Sequence, residues 1–168
     1  MQADPVVRVL EALERRQVHY VIFGAIAVNI HGLPRFTEDL GIFVAPERDN
    51  IDARKGALRE VFDDPKVDEI SADDLLGEYP AIQYIPPEGA FHLDILTRLG
   101  EAFRYEDVEA ERLPFEGLVV TVANAQDSHA SRLGCYKHRT LESMNALQEW
   151  ADANFAAYQR RLRSAGTR

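Results

Sequence analysis

Two aspartates, Asp39 and Asp94, lie inside predicted strands and carry the side chains best suited to chemistry at a metal ion. Asp39 belongs to a predicted strand at 38–44, and Asp94 interrupts the otherwise largely apolar run 91–96. A carboxylate is costly to bury without a purpose, so acids in such strands favour a functional site. The competing interpretation is that both are ordinary acids near strand ends.

The stretch 18–44 combines a predicted strand, the pair Gly24-Ala25, a short predicted helix and a second strand that holds Asp39. Thirteen residues lie between Ala25 and Asp39. This order resembles the nucleotidyltransferase superfamily, in particular the minimal nucleotidyltransferases and the AbiEii-like toxin group. Members have Gly-Gly or Gly-Ser after the first strand, Asp-x-Asp on the second, and a third carboxylate on a later strand, which Asp94 matches.

The resemblance implies magnesium-dependent transfer of a nucleoside monophosphate from a nucleoside triphosphate. Residues two apart on a strand share a face, so an Asp-x-Asp pair with a third acid suits a pair of Mg²⁺ ions. Asp39 would bind metal, and Asp94 would bind metal or activate the acceptor hydroxyl. Gly24 and Ala25 would lie against the triphosphate, because glycine admits close backbone approach and helix-start amides bind phosphate oxygens.

Three further residues are expected at the nucleotide by resemblance. Arg35 and Thr37 precede Asp39 as in many members, and Lys137 lies where relatives carry a lysine on a late helix. For Arg35 and Thr37 the alternative is loop solvation and hydrogen bonding at the strand start. The resemblance covers residues 6–122 and weakens beyond them.

The sequence departs from the family pattern most clearly at Gly41, which replaces the second acid of Asp-x-Asp. Glu38 cannot substitute for it, because an odd offset from Asp39 places it on the opposite face of the strand. His92 lies two residues before Asp94 and shares its face, but imidazole suits Mg²⁺ less well than a carboxylate. We therefore expect a weakened site that holds one metal ion. Without metal, like-charge repulsion between the two aspartates should raise the pKa of one of them.

The predicted elements indicate an α/β (α+β) fold with a small mixed sheet flanked by helices. Helices are expected at 5–16, from Pro46 onward, and at 105–111. Hairpins are expected for 81–85 with 91–96 and for 113–115 with 118–122. We expect a single domain over 1–168, with a core at 6–122 and a C-terminal helical segment at 125–162.

Composition narrows the partners and the compartment. The net charge of −9 argues against broad non-specific binding of nucleic acid. One cysteine, Cys135, allows no internal disulfide, and no apolar run approaches a membrane span. A cytoplasmic protein without membrane association is expected.

Two functions remain open from the sequence. One is a nucleotidyltransferase that uses an NTP and an RNA, protein or small-molecule acceptor. The other is a catalytically impaired pseudoenzyme that serves as a nucleotide- or protein-binding module, as in a toxin–antitoxin pair, with a partner protein or as a homo-oligomer.

Overall fold

The computed structural model describes residues 4–32, 36–77, 80–87, 91–99 and 103–124. Residues up to Asn124 form one compact unit, and all the described residues belong to it. The expected helical segment 125–162 lies outside the described residues, as do two of the residues expected at the nucleotide, Arg35 and Lys137. The prediction of one domain over the whole chain stays a prediction.

Six strands form one mixed sheet in the order β3-β4-β2-β1-β8-β7. Their bounds are β1 Tyr20–Phe23, β2 Asp39–Val44, β3 Ala81–Tyr84, β4 His92–Leu96, β7 Ala110–Phe115 and β8 Leu118–Ala123. The pairs β2–β4 and β1–β8 are parallel, and the other neighbours are antiparallel. A separate two-stranded pair consists of β5 Arg98–Leu99 and β6 Phe103–Arg104. The predicted mixed α/β architecture is confirmed.

Five helices accompany the sheet in the described residues: α1 Pro5–Arg15, α2 Gly24–Ile30, α3 Arg48–Val61, α4 Lys66–Glu69 and α5 Ala72–Leu76. The start of α1 follows from its sequence, because Asp4 accepts a hydrogen bond from the Val6 amide at 2.8 Å and Pro5 occupies the first turn. Ser71 and Asp74 form the expected capping box of α5. None of the helices in this part of the chain has the length and apolarity that a transmembrane span requires.

The sheet has two unlike faces. On the helix face, α1, α2 and α3 pack against alternate strand residues in one continuous core, which includes Leu10, Ile22, Ile42 and Ile95. Among the described residues, the other side, which we call the site face, carries a small buried apolar cluster, Val21, Phe43 and Leu96. Because successive strand residues alternate between faces, the helix core determines which side chains reach the site face.

Asn50 on α3 fixes the helix layer to one end of the sheet. Its side-chain oxygen accepts from the His19 amide at 2.7 Å, and its amide donates to the carbonyls of His19 at 2.9 Å and Ala45 at 3.1 Å. Those carbonyls lie just before β1 and just after β2. The Asn50 side chain thus provides hydrogen-bond partners for backbone groups that would otherwise be buried without one.

The prediction of a helix at 105–111 is wrong. Only Tyr105–Asp107 form a single 3₁₀ turn, and β7 begins at Ala110, which pairs with Ala123. Three glutamates among residues 105–111 favour a helix locally, but pairing with β8 along the whole of β7 outweighs that preference. The hairpin expected at 113–115 and 118–122 is confirmed and is longer than expected. Its outer strand β7 lies at the sheet edge and includes Pro114.

Arg54 on α3 is a fully buried guanidinium, and within the described residues none of its three nitrogens has a hydrogen-bond partner. Burial lowers the pKa of Arg54 to about 10, because removing the charged guanidinium from water is unfavourable. Burying this charge therefore lowers the stability of the folded protein. We expect Arg54→Met to raise the free energy of unfolding by about 1–3 kcal/mol at neutral pH, measured by urea denaturation.

The control is Arg48→Met, which removes an exposed arginine from the same helix and should change the stability little. A destabilised Arg54→Met variant would show instead that the guanidinium has a partner beyond the described residues.

Candidate functional site

The register of four strands places the predicted site residues in two rows across the site face. In the first row, Gln83 on β3 lies opposite Asp94 on β4, Asp94 lies opposite Gly41 on β2, and Gly41 lies opposite Phe23 on β1. In the second row, Asp39 lies opposite His92. Residues directly opposite one another on neighbouring strands share a face. The sheet therefore brings Asp39 and Asp94 to the same face of two adjacent parallel strands.

Asp39 is paired with His92 and remains exposed. His92 Nδ1 lies 3.1 Å from Asp39 Oδ1, and 58% of the Asp39 side chain is exposed. The donor and acceptor in this contact depend on the tautomer of the imidazole. The strand position also fixes the backbone, because the His92 amide donates to the Glu38 carbonyl at 2.7 Å. The predicted placement of His92 on the same strand face as Asp94 is confirmed, and the contact of His92 with Asp39 is a further feature that the sequence did not predict.

Thr37 holds the backbone of Asp39 at the start of β2. Its hydroxyl accepts from the Asp39 amide at 3.0 Å and donates to the Asp39 carbonyl at 3.3 Å. This local bonding is the strand-start role that was the alternative for Thr37. A contact between Thr37 and substrate phosphates stays a prediction.

Asp94 is more enclosed than Asp39 and accepts a hydrogen bond from Gln83 Nε2 at 3.0 Å. Burial raises the pKa of Asp94, and the nearby charge of Asp39 raises it further, while the Gln83 hydrogen bond and His92 lower it. The expected direction is confirmed for one of the two aspartates. The first cause is burial, however, and repulsion by Asp39 is a smaller contribution.

An aromatic ring covers Gly41, where the family pattern has its second acid. A Cβ atom built on Gly41 would lie 2.7 Å from Phe23 Cζ and 2.9 Å from each Cε atom. The ring is supported from the side by Phe43, at a centroid distance of 4.9 Å. Neither Phe23 nor Gln83 was expected at the site, although the alternation of strand residues would have placed both on this face.

Gly24 and Ala25 begin α2 directly after β1. Gly24 has φ +75°, a left-handed conformation that favours glycine, and a Cβ atom added there would meet nothing within 4 Å. The chain therefore turns sharply from strand to helix, with open space beside the glycine. Their expected role at the triphosphate stays a prediction.

The site face offers side chains of the kind that hold a hard cation. Mg²⁺ is commonly held by one or two carboxylates together with substrate phosphates, and Asp39 and Asp94 supply two. Gly41 offers no donor, and the Phe23 ring fills the space above it. Within the described ranges, no group of three or more His, Cys, Asp or Glu side chains is arranged to hold a metal ion.

A cleft of about 320 Å³ lies at the other end of β1, away from Asp39 and Asp94. Its charged groups bind each other, because Arg112 donates to both carboxylate oxygens of Glu14 at 2.9 and 2.8 Å. Glu14 also accepts from the Tyr20 hydroxyl at 2.7 Å. None of the predicted site residues lines this cleft.

Comparison with known proteins supports the fold. No family model matches this chain, and no curated protein matches it. A proposed nucleotidyltransferase from Thermotoga maritima has a TM-score of 0.50 and 13% identity, covering 88% of this chain and 91% of that one. ANT(2″)-Ia in complex with adenylyl-2″-tobramycin has a TM-score of 0.43 and 15% identity, covering 94% and 96%. The chain therefore shares the fold of the Thermotoga maritima protein.

The Asp94 environment leads to a titration experiment. We expect NMR titration of the metal-free protein to give Asp94 a pKa above its ordinary value of 3.8. The pKa should rise further in Gln83→Ala, because the lost hydrogen bond stabilises the ionised carboxylate. An Asp94 pKa that does not move in Gln83→Ala would contradict the hydrogen bond.

The same shift predicts a pH-dependent stability difference. A raised folded-state pKa means that the folded protein binds the proton more tightly, so its stability falls as the pH rises from the ordinary value through the folded one. Asp94→Asn should therefore be more stable than the unaltered protein at pH 7 and equally stable below pH ~3. If Asp94→Asn and the unaltered protein are equally stable at both pH values, burial of the Asp94 carboxylate does not lower the stability of the folded protein.

The contact between Gly41 and the Phe23 ring predicts the effect of adding side chains at position 41. We expect Gly41→Ala to lower the free energy of unfolding by about 1–3 kcal/mol, because the ring must leave its packed position. Gly41→Asp adds a carboxylate opposite Asp94 as well, so its thermal midpoint should rise with Mg²⁺ more than that of Gly41→Ala. If Gly41→Ala is as stable as the unaltered protein, the ring does not occupy that space.

Proposed function

We propose that this chain is a nucleotidyltransferase-like protein that binds a nucleoside triphosphate on the site face together with one Mg²⁺ ion. The observation that carries the proposal is the placement of Asp39 and Asp94 on the same face of adjacent parallel strands within a nucleotidyltransferase-type fold. A pair of oxygen ligands at one end of a sheet is suited to a cation that also binds phosphates.

Each residue has a distinct part in this proposal. Asp39, the more exposed acid, would hold the ion from the solvent side, and Asp94 would hold it from the more enclosed side. Thr37 and His92 fix the backbone and the carboxylate of Asp39, and Gln83 orients Asp94. The bound ion would neutralise phosphate charge.

The turn at Gly24 supplies the remaining part of the nucleotide site. Gly24 and Ala25 lie at the start of α2, and the space beside Gly24 is open. Backbone at this turn would approach the triphosphate, with Arg35 and Lys137 as the cationic side chains that the family resemblance adds.

We further propose that nucleotidyl transfer is impaired. Catalysis of this reaction rests on positioning and on neutralising the negative charge on the oxygens of the transferred phosphate and its leaving group. The lost acid at Gly41 removes the ligands for a second ion, and the Phe23 ring keeps the position apolar. The chain would then act as a binding module for nucleotide or for a protein partner, as in a toxin–antitoxin pair, in the cytoplasm.

An active transferase is the second candidate, and the enclosure of Asp94 favours it. A carboxylate whose pKa is raised by burial is a better proton acceptor for an acceptor hydroxyl than an ordinary surface acid. The acceptor would be an RNA, a protein or a small molecule.

Calorimetric titration with each of the four NTPs, with and without Mg²⁺, tests the proposal. We expect at least one NTP to bind only with Mg²⁺, and Asp39→Asn and Asp94→Asn each to weaken binding about tenfold or more. The control Asp63→Asn removes an exposed acid after α3 and should bind as the unaltered protein does.

Absence of NTP binding to the unaltered protein would contradict a nucleotide site. Release of pyrophosphate that depends on both Asp39 and Asp94 would support the active transferase over the binding module.

A further inference from the structure

His92 and Asp39 form a side-chain pair within the candidate site. His92 Nδ1 lies 3.1 Å from Asp39 Oδ1, and the His92 amide donates to the Glu38 carbonyl at 2.7 Å. The His92 side chain is 41% exposed, so the ring is held at one nitrogen and is open to solvent. An exposed pair of this kind contributes little to stability, so stability alone gives little reason for the contact.

The hydrogen bond at one imidazole nitrogen decides what the other nitrogen can do. In the neutral tautomer whose Nδ1 donates to Asp39, Nε2 has no hydrogen and holds a lone pair. A ring that a carboxylate orients at one nitrogen and that is exposed elsewhere is suited to nucleophilic attack. Asp94, two residues further along β4, lies on the same face, so the ring stands beside both carboxylates proposed to hold the ion.

The missing acid at Gly41 matters less for a histidine nucleophile than for an acceptor hydroxyl. A hydroxyl must lose its proton as it attacks phosphorus, and in two-metal sites one of the ions stabilises the attacking oxygen. An imidazole nitrogen attacks with its lone pair and has no proton to lose. One ion at Asp39 and Asp94 would therefore suffice, and the step must depend on it, because the two carboxylates alone would repel a triphosphate.

We propose that His92 Nε2 is the first acceptor of the nucleoside monophosphate and forms a covalent nucleotidyl-histidine. The inference rests on the proposed function, because it requires the nucleotide and the ion at Asp39 and Asp94. It goes further by assigning a catalytic residue that transfers the nucleotide with one ion in place of two.

The step is balanced in bonds and charge. The Nε2 lone pair forms a bond to the α-phosphorus, the bond from that phosphorus to the bridging oxygen breaks, and its electron pair leaves with pyrophosphate. Nδ1 keeps its hydrogen, and the Asp39 carboxylate offsets the positive charge that the ring acquires. Attack by water or by an acceptor hydroxyl then breaks the Nε2–phosphorus bond, returns the electron pair to the ring and releases a proton to solvent.

Labelled nucleotides test this step without any external acceptor. Each NTP, labelled in separate experiments at the α- and the γ-phosphate, is incubated with the protein and Mg²⁺, and the reaction is stopped rapidly in base. For at least one NTP we expect protein-bound label from the α-phosphate alone, release of an equal amount of pyrophosphate, and loss of the label in mild acid, as expected of a phosphorus–nitrogen bond. Peptide mass spectrometry of the unaltered protein should locate the nucleoside monophosphate on His92.

The variant His92→Asn separates the covalent role from a positioning role. Asparagine keeps a side-chain amide that can donate to Asp39 but has no nucleophilic ring nitrogen, so the variant should bind the NTP and take up no label. The matched control His19→Asn removes an exposed histidine just before β1 and should be labelled as the unaltered protein is.

Each other outcome overturns the assignment in a distinguishable way. An NTP that binds with Mg²⁺ but leaves no label on the protein would exclude the covalent step and preserve the proposed nucleotide site. Label from the γ-phosphate would indicate phosphoryl transfer instead, and label on another residue, or undiminished label in His92→Asn, would remove His92 as the nucleophile. If no NTP binds to the unaltered protein, the proposed function and the covalent step are both wrong.

Discussion

The parallel pairing of β2 with β4 is the constraint on which the candidate site depends. It places Asp39 opposite His92 and Gly41 opposite Asp94. It also turns the apolar residues between them, such as Leu40 and Leu93, towards the helix core. Slipping one strand by a single residue would exchange its two faces and bury a carboxylate beneath the helices. The cost of that exchange is what holds the site residues in register, because no hydrogen bond among them is strong enough to do so alone.

This dependence explains how far the sequence could predict the structure. The cap at Asp4, the capping box at Ser71 and most strands follow from local patterns, and the placement of Asp39 and Asp94 in strands was also predictable. Strand register was not, since it arises from contacts far apart along the chain. The face of Gln83 and Phe23 follows from strand alternation, but their position beside Asp94 and Gly41 depends on register and was missed. The start of β7 was mistaken for a helix because its local composition favours one.

The packed Phe23 ring occupies the space that a side chain at position 41 would need. A carboxylate there would require a polar, hydrated surrounding, whereas the ring extends the apolar cluster of Val21 and Phe43 towards Asp94. Gly41 therefore does more than offer no ligand, because the neighbouring side chain uses the space. It also explains the enclosure of Asp94, which has an amide on one side and a glycine beneath an aromatic ring on the other.

The outer strand β7 has a consequence for self-association. It forms one edge of the sheet, it carries Glu111 and Arg112, and Pro114 has no amide hydrogen to offer an incoming strand. Proline and charge on an edge strand discourage the addition of another chain. A second copy that extended the sheet would therefore meet less resistance at β3, the opposite edge, whose neighbour β4 carries His92 and Asp94.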